Sequence, residues 1–152
     1  MMDSALFCKA TPYGHVEIWR KDLNQSLFRL VHSIPNLLTN TGKAEFANIQ
    51  IAAGTAPSHA AVGTGTTAAL ITDTILETEV YRASAVRTRT TVVVANDTAY
   101  YDTTINVLGT YDVTEAGLLN AASSGILFAR QVFTAVPVSA GVVLKVVWKL
   151  QN

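Results

Sequence analysis

Val142, Leu144, Val146, Trp148 and Leu150 put an apolar residue at every second position, with Lys145 and Lys149 between them. Successive side chains of a strand point to opposite faces, so this two-residue period predicts a β-strand with one face on a core. Val143 and Val147 make the other face partly apolar too, which predicts cover on both sides, either within a sandwich or from another chain. The stretch from Gly141 to Leu150 is the most apolar of the chain, but it is far shorter than the roughly 20 residues needed to cross a bilayer. No membrane partner is expected.

The same period recurs upstream. From Tyr81 to Ala95, residues Ser84, Val86, Thr88, Thr90, Val92 and Val94 share one face and Arg87 and Arg89 the other, predicting one long strand. Asn96-Asp97-Thr98 supplies turn chemistry, and Tyr100 to Leu108 returns as the antiparallel partner. Tyr111 to Leu119 and Ile126 to Phe133 flank the small, polar run Asn120 to Gly125 and predict a second hairpin. Pro137 is expected to end that run before Ala140-Gly141 turns the chain into the final strand.

Near the start, His15 to Arg20 and Ser26 to His32 flank the turn Asp22 to Gln25 and predict a short hairpin. Thr39-Asn40-Thr41 offers capping side chains for a helix from Lys43 to Ala53, stopped by Gly54 and Pro57, with Ala44, Ala47 and Ile51 as its buried stripe. A further helical turn is predicted from Asp73, with Leu76 inward. A chain of 152 residues suits one ordinary domain. The expected fold is mainly β: an antiparallel β-sandwich, jelly-roll-like, with an N-terminal hairpin or arm and one or two short helices. Residues 1–54 are expected to form the arm, hairpin and helix packed on a sandwich of residues 55–152.

Several chemistries find no support in the residues. Eleven Lys plus Arg balance eleven Asp plus Glu, leaving no positive excess to neutralise phosphates, so no nucleic acid is expected. Gly63-Thr64-Gly65-Thr66-Thr67-Ala68 fits a dinucleotide pattern, but that site needs a βαβ unit and an antiparallel hairpin follows instead. His15, His32 and His59 lack the spacing of helical metal ligands, although His15 and His32 are placed to meet across the first hairpin. No metal or cofactor is expected. Cys8 is the only cysteine, so no intrachain disulfide forms, and no serine lies in a nucleophile elbow. Asp112 with Glu115, and Glu77 with Glu79, are read as solvated or interface charges and not as an acid–base pair. The chain is not expected to be an enzyme. Without a basic-then-apolar start typical of a secretory signal, synthesis is expected in the cytoplasm. The glycosylation tripeptides at Asn24 and Asn96 therefore read as turns.

Two stretches are informative together: Ala61-Val62-Gly63-Thr64-Gly65-Thr66-Thr67 with Asp73 to Arg82, and Val113-Thr114-Glu115-Ala116-Gly117-Leu118-Leu119-Asn120-Ala121. Their order, followed by a closing apolar strand, resembles a family of small bacteriophage virion β-proteins that includes head-surface proteins and tail-collar fibre N-terminal domains. The likeness runs from about Ala61 to Leu150, and Gly14 to Lys21 with Pro35 to Gly42 resemble a lead-in found in phage structural proteins. The resemblance implies a virion protein made in the host cytoplasm. It favours a capsid decoration, or cement, protein on the outer surface of the head that bridges capsid subunits, with a neck, collar or tail-fibre attachment protein as the alternative. The implied partners are further copies of the chain, a trimer by analogy with cement proteins at local threefold positions, together with the major capsid protein or neck and tail proteins.

Composition points the same way. Charged residues make up only 14% and apolar residues 49%, which predicts surface that is buried when subunits associate. Trp19, Phe28 and Trp148 are the aromatic candidates for contact residues, and Arg87 and Arg89 the charged ones, with residues 1–12 as an arm reaching a neighbour. Arg82 joins the two arginines in a basic cluster, for which intersubunit or cross-strand ion pairs are expected.

Overall fold

A computed structural model describes residues 13–151. The arm expected over residues 1–12, and Cys8 within it, lie outside the described residues.

The chain forms an antiparallel β-sandwich. Its strands are β1 (Tyr13–Lys21), β2 (Arg29–Pro35), β3 (His59–Gly63), β4 (Glu79–Ser84), β5 (Val86–Thr90), β6 (Thr98–Asn106), β7 (Tyr111–Leu119), β8 (Leu127–Val138) and β9 (Val143–Gln151), with helix α1 (Asn40–Gln50) between β2 and β3. One sheet has the order β2-β1-β9-β6-β5 and the other β4-β3-β7-β8. The first hairpin is thus part of the sandwich itself, because β1 pairs with β9 from Tyr13↔Gln151 to Lys21↔Val143.

The alternation in β9 does what its period predicts. Val142, Leu144, Val146, Trp148 and Leu150 are all buried between the sheets, against Val16 and Ile18 of β1 and the Val62, Leu118 and Phe128 layer of the facing sheet. Val147 points the other way and is also buried. Its cross-strand neighbours are Glu17 and Asp102, which pair with Lys149 and Lys145, so long side chains cover it without a second chain.

The strand predicted from Tyr81 to Ala95 is divided, and it ends at Thr90, with residues 91–95 in the loop to β6. At Ala85, whose N–H bonds the Ser58 carbonyl at 2.8 Å, the chain leaves β3 and joins β6: Ser84 is paired with His59, and Val86 with Asp102. Alternation continues through this switch, so the residues themselves carry no mark of it. Pro137 likewise falls inside β8 and not at its end, on the sheet-edge strand where a missing N–H is tolerated.

The opposite side of the sandwich, where β2 and β8 are the edges, is sealed by polar bonds. His32 Nε2 bonds the Thr134 carbonyl at 2.8 Å and Gln131 donates to the Pro35 carbonyl at 2.9 Å. Arg20 donates to the Pro137 carbonyl. Further along β8, Arg130 N–H bonds the Leu37 carbonyl and Thr39 N–H the Phe128 carbonyl.

Helix α1 is capped by Thr39, whose hydroxyl accepts from Gly42 N–H at 2.9 Å and donates to the Leu127 carbonyl at 2.5 Å. The predicted stripe is corrected: Ala44, Ala47 and Ile51 are exposed, while Gly42 and Glu45 are buried and Phe46 and Ile49 pack on the core. Phe46 meets Phe128 edge-on at 4.9 Å. Glu45 is accommodated because its carboxylate accepts from Thr55 N–H at 2.7 Å and Asn48 Nδ2 at 3.0 Å. Thr39→Ala removes a buried cap and its link to β8 and is expected to cost about 1–2 kcal/mol, read as a lowered midpoint in urea unfolding.

Candidate interaction surface

The segment from Thr64 to Thr78 joins β3 to β4 and lies over the outer face of the four-stranded sheet. The helical turn predicted from Asp73 is absent from it, although Leu76 does point inward. Leu76 packs with Ala61, Leu119 and Leu127 in a second small core. It reaches the sheet over Gly117, where a Cβ would collide with its side chain. This explains why β7 is buried without interruption from Val113 to Leu119: the main core covers one face and the crossing segment the other.

A buried carboxylate holds that segment down. Glu115 is 0% exposed. Its Oε1 accepts from Gly65 N–H at 3.1 Å and Thr78 N–H at 2.7 Å, and its Oε2 accepts from Glu77 N–H at 3.0 Å and Arg130 Nε at 2.9 Å. Arg130, also buried, donates onward to Asp73 at 2.8 Å and to the Thr67 carbonyl at 3.1 Å. Burial opposes the Arg130 charge, but the bonds to Asp73 and Glu115 outweigh it and hold its pKa above the ordinary arginine value. Glu77 accepts from the backbone and hydroxyl of Thr67 at 2.8 and 2.9 Å, and these bonds lower its pKa.

Gly63 and Gly65 therefore serve close approach to a carboxylate of the same chain. A Cβ at Gly65 would lie 2.7 Å from Glu115 Oε1. Glu77 and Glu115 converge on one arginine, whereas Asp112 is exposed and Glu79 pairs with Arg82 at 2.7 Å. A cavity of about 320 Å³ between Thr67, Thr72, Asp73, Thr74, Ile75, Glu77 and Arg130 opens beside this clasp. With its charged groups already bonded to one another, the clasp acts as a fastener. The outer side of the fastened segment presents Leu70, Ile71 and Ile75, the last 72% exposed.

A second fastened loop connects β5 to β6. Asp97 accepts from the N–H groups of Val92, Val93 and Val94, each at 2.9 Å, and from the Thr98 hydroxyl at 2.8 Å. The bond from Val94 N–H, with those from Val92, Val93 and Thr98, holds the Asp97 carboxyl well below the usual carboxylate range against the opposing effect of burial. Val92, Val93 and Val94 are all exposed, Val93 by 77%. A depressed folded-state pKa stabilises the fold fully above the unfolded value of about 4, and this contribution is lost as pH falls through the folded value. Asp97→Ala is accordingly expected to speed amide exchange at Val92–Val94 at neutral pH. The stability difference from the parent chain should shrink on strong acidification, as read by thermal melts across pH.

The residues singled out in the sequence are placed apart. Trp148 is wholly buried in the core and presents no surface to a partner. Trp19 is half-buried on the outer face of the five-stranded sheet, where its Nε1 donates to Glu17 at 3.0 Å. Phe28, also half-buried, has the Lys21 and Lys145 ammonium groups 5.1 and 5.3 Å from its ring centre. Arg82 leaves the expected basic cluster, bonding Glu79 in its own strand and the Ala121 and Ser124 carbonyls. Arg87 and Arg89 are exposed on β5 and form no ion pair among the described residues. His15 and His32 do not meet, since His15 is paired with Pro35 while His32 packs on Phe133. Among the described residues, no group of three His, Cys, Asp or Glu is arranged to hold a metal ion.

Sequence reasoning did not single out Arg130, and it took Asp73 only as the start of a helical turn and of a resembling stretch. A lone arginine within the apolar run Ile126 to Phe133 is the signal available for the first, because a charge inside such a run needs a buried partner. Comparison with protein-family models, curated proteins and solved structures finds no match to the chain.

Proposed function

We propose that the chain is a bacteriophage virion structural protein: a capsid decoration protein that associates with further copies of itself and bridges subunits of the major capsid protein on the outside of the head. The observation that carries this reading is the convergence of its resembling stretches. Gly63 to Thr67, Asp73 to Thr78 and Glu115 to Gly117 all meet at the Glu115–Arg130 clasp, so the resemblance follows one three-dimensional unit. That unit supports docking in physical terms, because it displays Leu70, Ile71 and Ile75 on a segment whose backbone is already fixed. Little conformational entropy remains to be lost there on binding.

The role is passive. A protein that binds the assembled shell and not its dissociated subunits stabilises the shell by mass action. Cryo-electron microscopy of phage particles assembled in cells that make the protein tests this, with hundreds of ordered copies on the head as the expected result. A ring of few copies at the neck or tail would replace decoration by attachment, and particles lacking the protein would refute a virion role.

A further inference from the structure

We infer that the free edge of β5 is a strand-addition site for an extended segment of a different protein, one that alternates acidic with apolar residues. This concerns the edge alone and stands apart from the virion reading. β5 ends its sheet, with β6 as its only pairing partner among the described strands. Its outer backbone groups are therefore available to a further strand.

The two faces of this edge differ sharply. Directly opposed residues of a pair share a face, so Arg87 and Arg89 lie with Tyr101 and Ala99, while Val86, Thr88 and Thr90 lie with Asp102, Tyr100 and Thr98. An added strand would set alternate side chains beside the two arginines and the intervening ones beside Val86 and the threonines. Val92, Val93 and Val94 extend the apolar contact just beyond the edge, on a loop that Asp97 has already ordered.

Charge selects the occupant. Among the described residues Arg87 and Arg89 have no ion-pair partner, whereas the carboxylates of Glu17, Asp22, Asp73, Glu77, Glu79, Asp102 and Glu115 are each within an ion pair. A second copy fits poorly. β5 against β5 brings arginines together, and the other edge strand of the same sheet, β2, is bonded to β8 and begins with exposed Arg29. Like charges across a strand pair oppose association, so the arginines disfavour self-pairing while attracting an acidic strand.

The probe is a short synthetic peptide alternating glutamate with valine, titrated into the full chain and followed by fluorescence anisotropy and amide chemical shifts. Expected are saturable binding with shift changes centred on residues 86–94, and an affinity at least about tenfold weaker for Arg87→Glu/Arg89→Glu. The milder Arg87→Gln/Arg89→Gln, checked by circular dichroism, should weaken it in the same direction. A backbone N-methylated peptide, unable to form the ladder, should lose binding, as should a peptide with lysine in place of glutamate. Undiminished binding by the N-methylated peptide, by the lysine peptide or by the arginine variants would overturn the inference, as would no binding at all. Equal or tighter binding of single-stranded oligonucleotide or anionic vesicles would overturn it in favour of another partner class.

Discussion

Glu115→Ala is expected to destabilise the sandwich by about 3–5 kcal/mol, the range for breaking a buried ion pair from one side. The effect has two sources. Arg130 would stay buried with its Nε unpaired, its remaining charged partners being Asp73 and Glu77 at the rim. The N–H groups of Gly65, Glu77 and Thr78 would also lose their acceptor. Equilibrium urea unfolding measures the loss, and hydrogen exchange locates it, with the earliest opening expected over residues 64–78. Glu115→Gln/Arg130→Met should recover part of the stability, since an apolar replacement leaves no buried charge behind. A Glu115→Ala variant as stable as the parent chain would show that the clasp does not hold the crossing segment.

Trp148→Ala is expected to cost about 3–5 kcal/mol by leaving a large cavity between the sheets. Trp148 is fully buried, in a layer with Tyr101, Val146 and Phe128. The expected result is a large fall in the unfolding midpoint of the isolated chain. Had Trp148 been a contact residue, its replacement would weaken association and leave the monomer intact. Trp19→Ala is the matched comparison, because Trp19 lies half-buried on the outer face and opens no cavity in the core.

How far the chain could be read without its structure depended on how local each interaction is. The alternation in β9 and the Asn120–Gly125 turn are set by neighbouring residues and are found where their patterns put them, while the cap expected within Thr39-Asn40-Thr41 falls on Thr39 and starts the helix at Asn40, three residues before the expected Lys43. The helix stripe was misread because Glu45 counts as surface by residue type, while its actual acceptor role is to Thr55, ten positions away. Glu115 was misread for the same reason over greater distances: its donors belong to residues 65, 77, 78 and 130, and no short window contains them. Ala85 changes sheets in a stretch whose alternation never breaks, so only the pairing partners reveal the switch.

The place of β9 bears on how the polypeptide comes off the ribosome. It is the middle strand of its sheet, between β1 and β6, yet it follows both of them, and every other described strand, in chain order. Until it emerges, the nascent chain holds an empty slot with two unpaired borders, and its longest-range pairing joins residues 13 and 151. Closing so distant a contact is slow compared with helix formation, so translation that stalls before residue 143 would leave an open, sticky intermediate for chaperones or proteases to deal with.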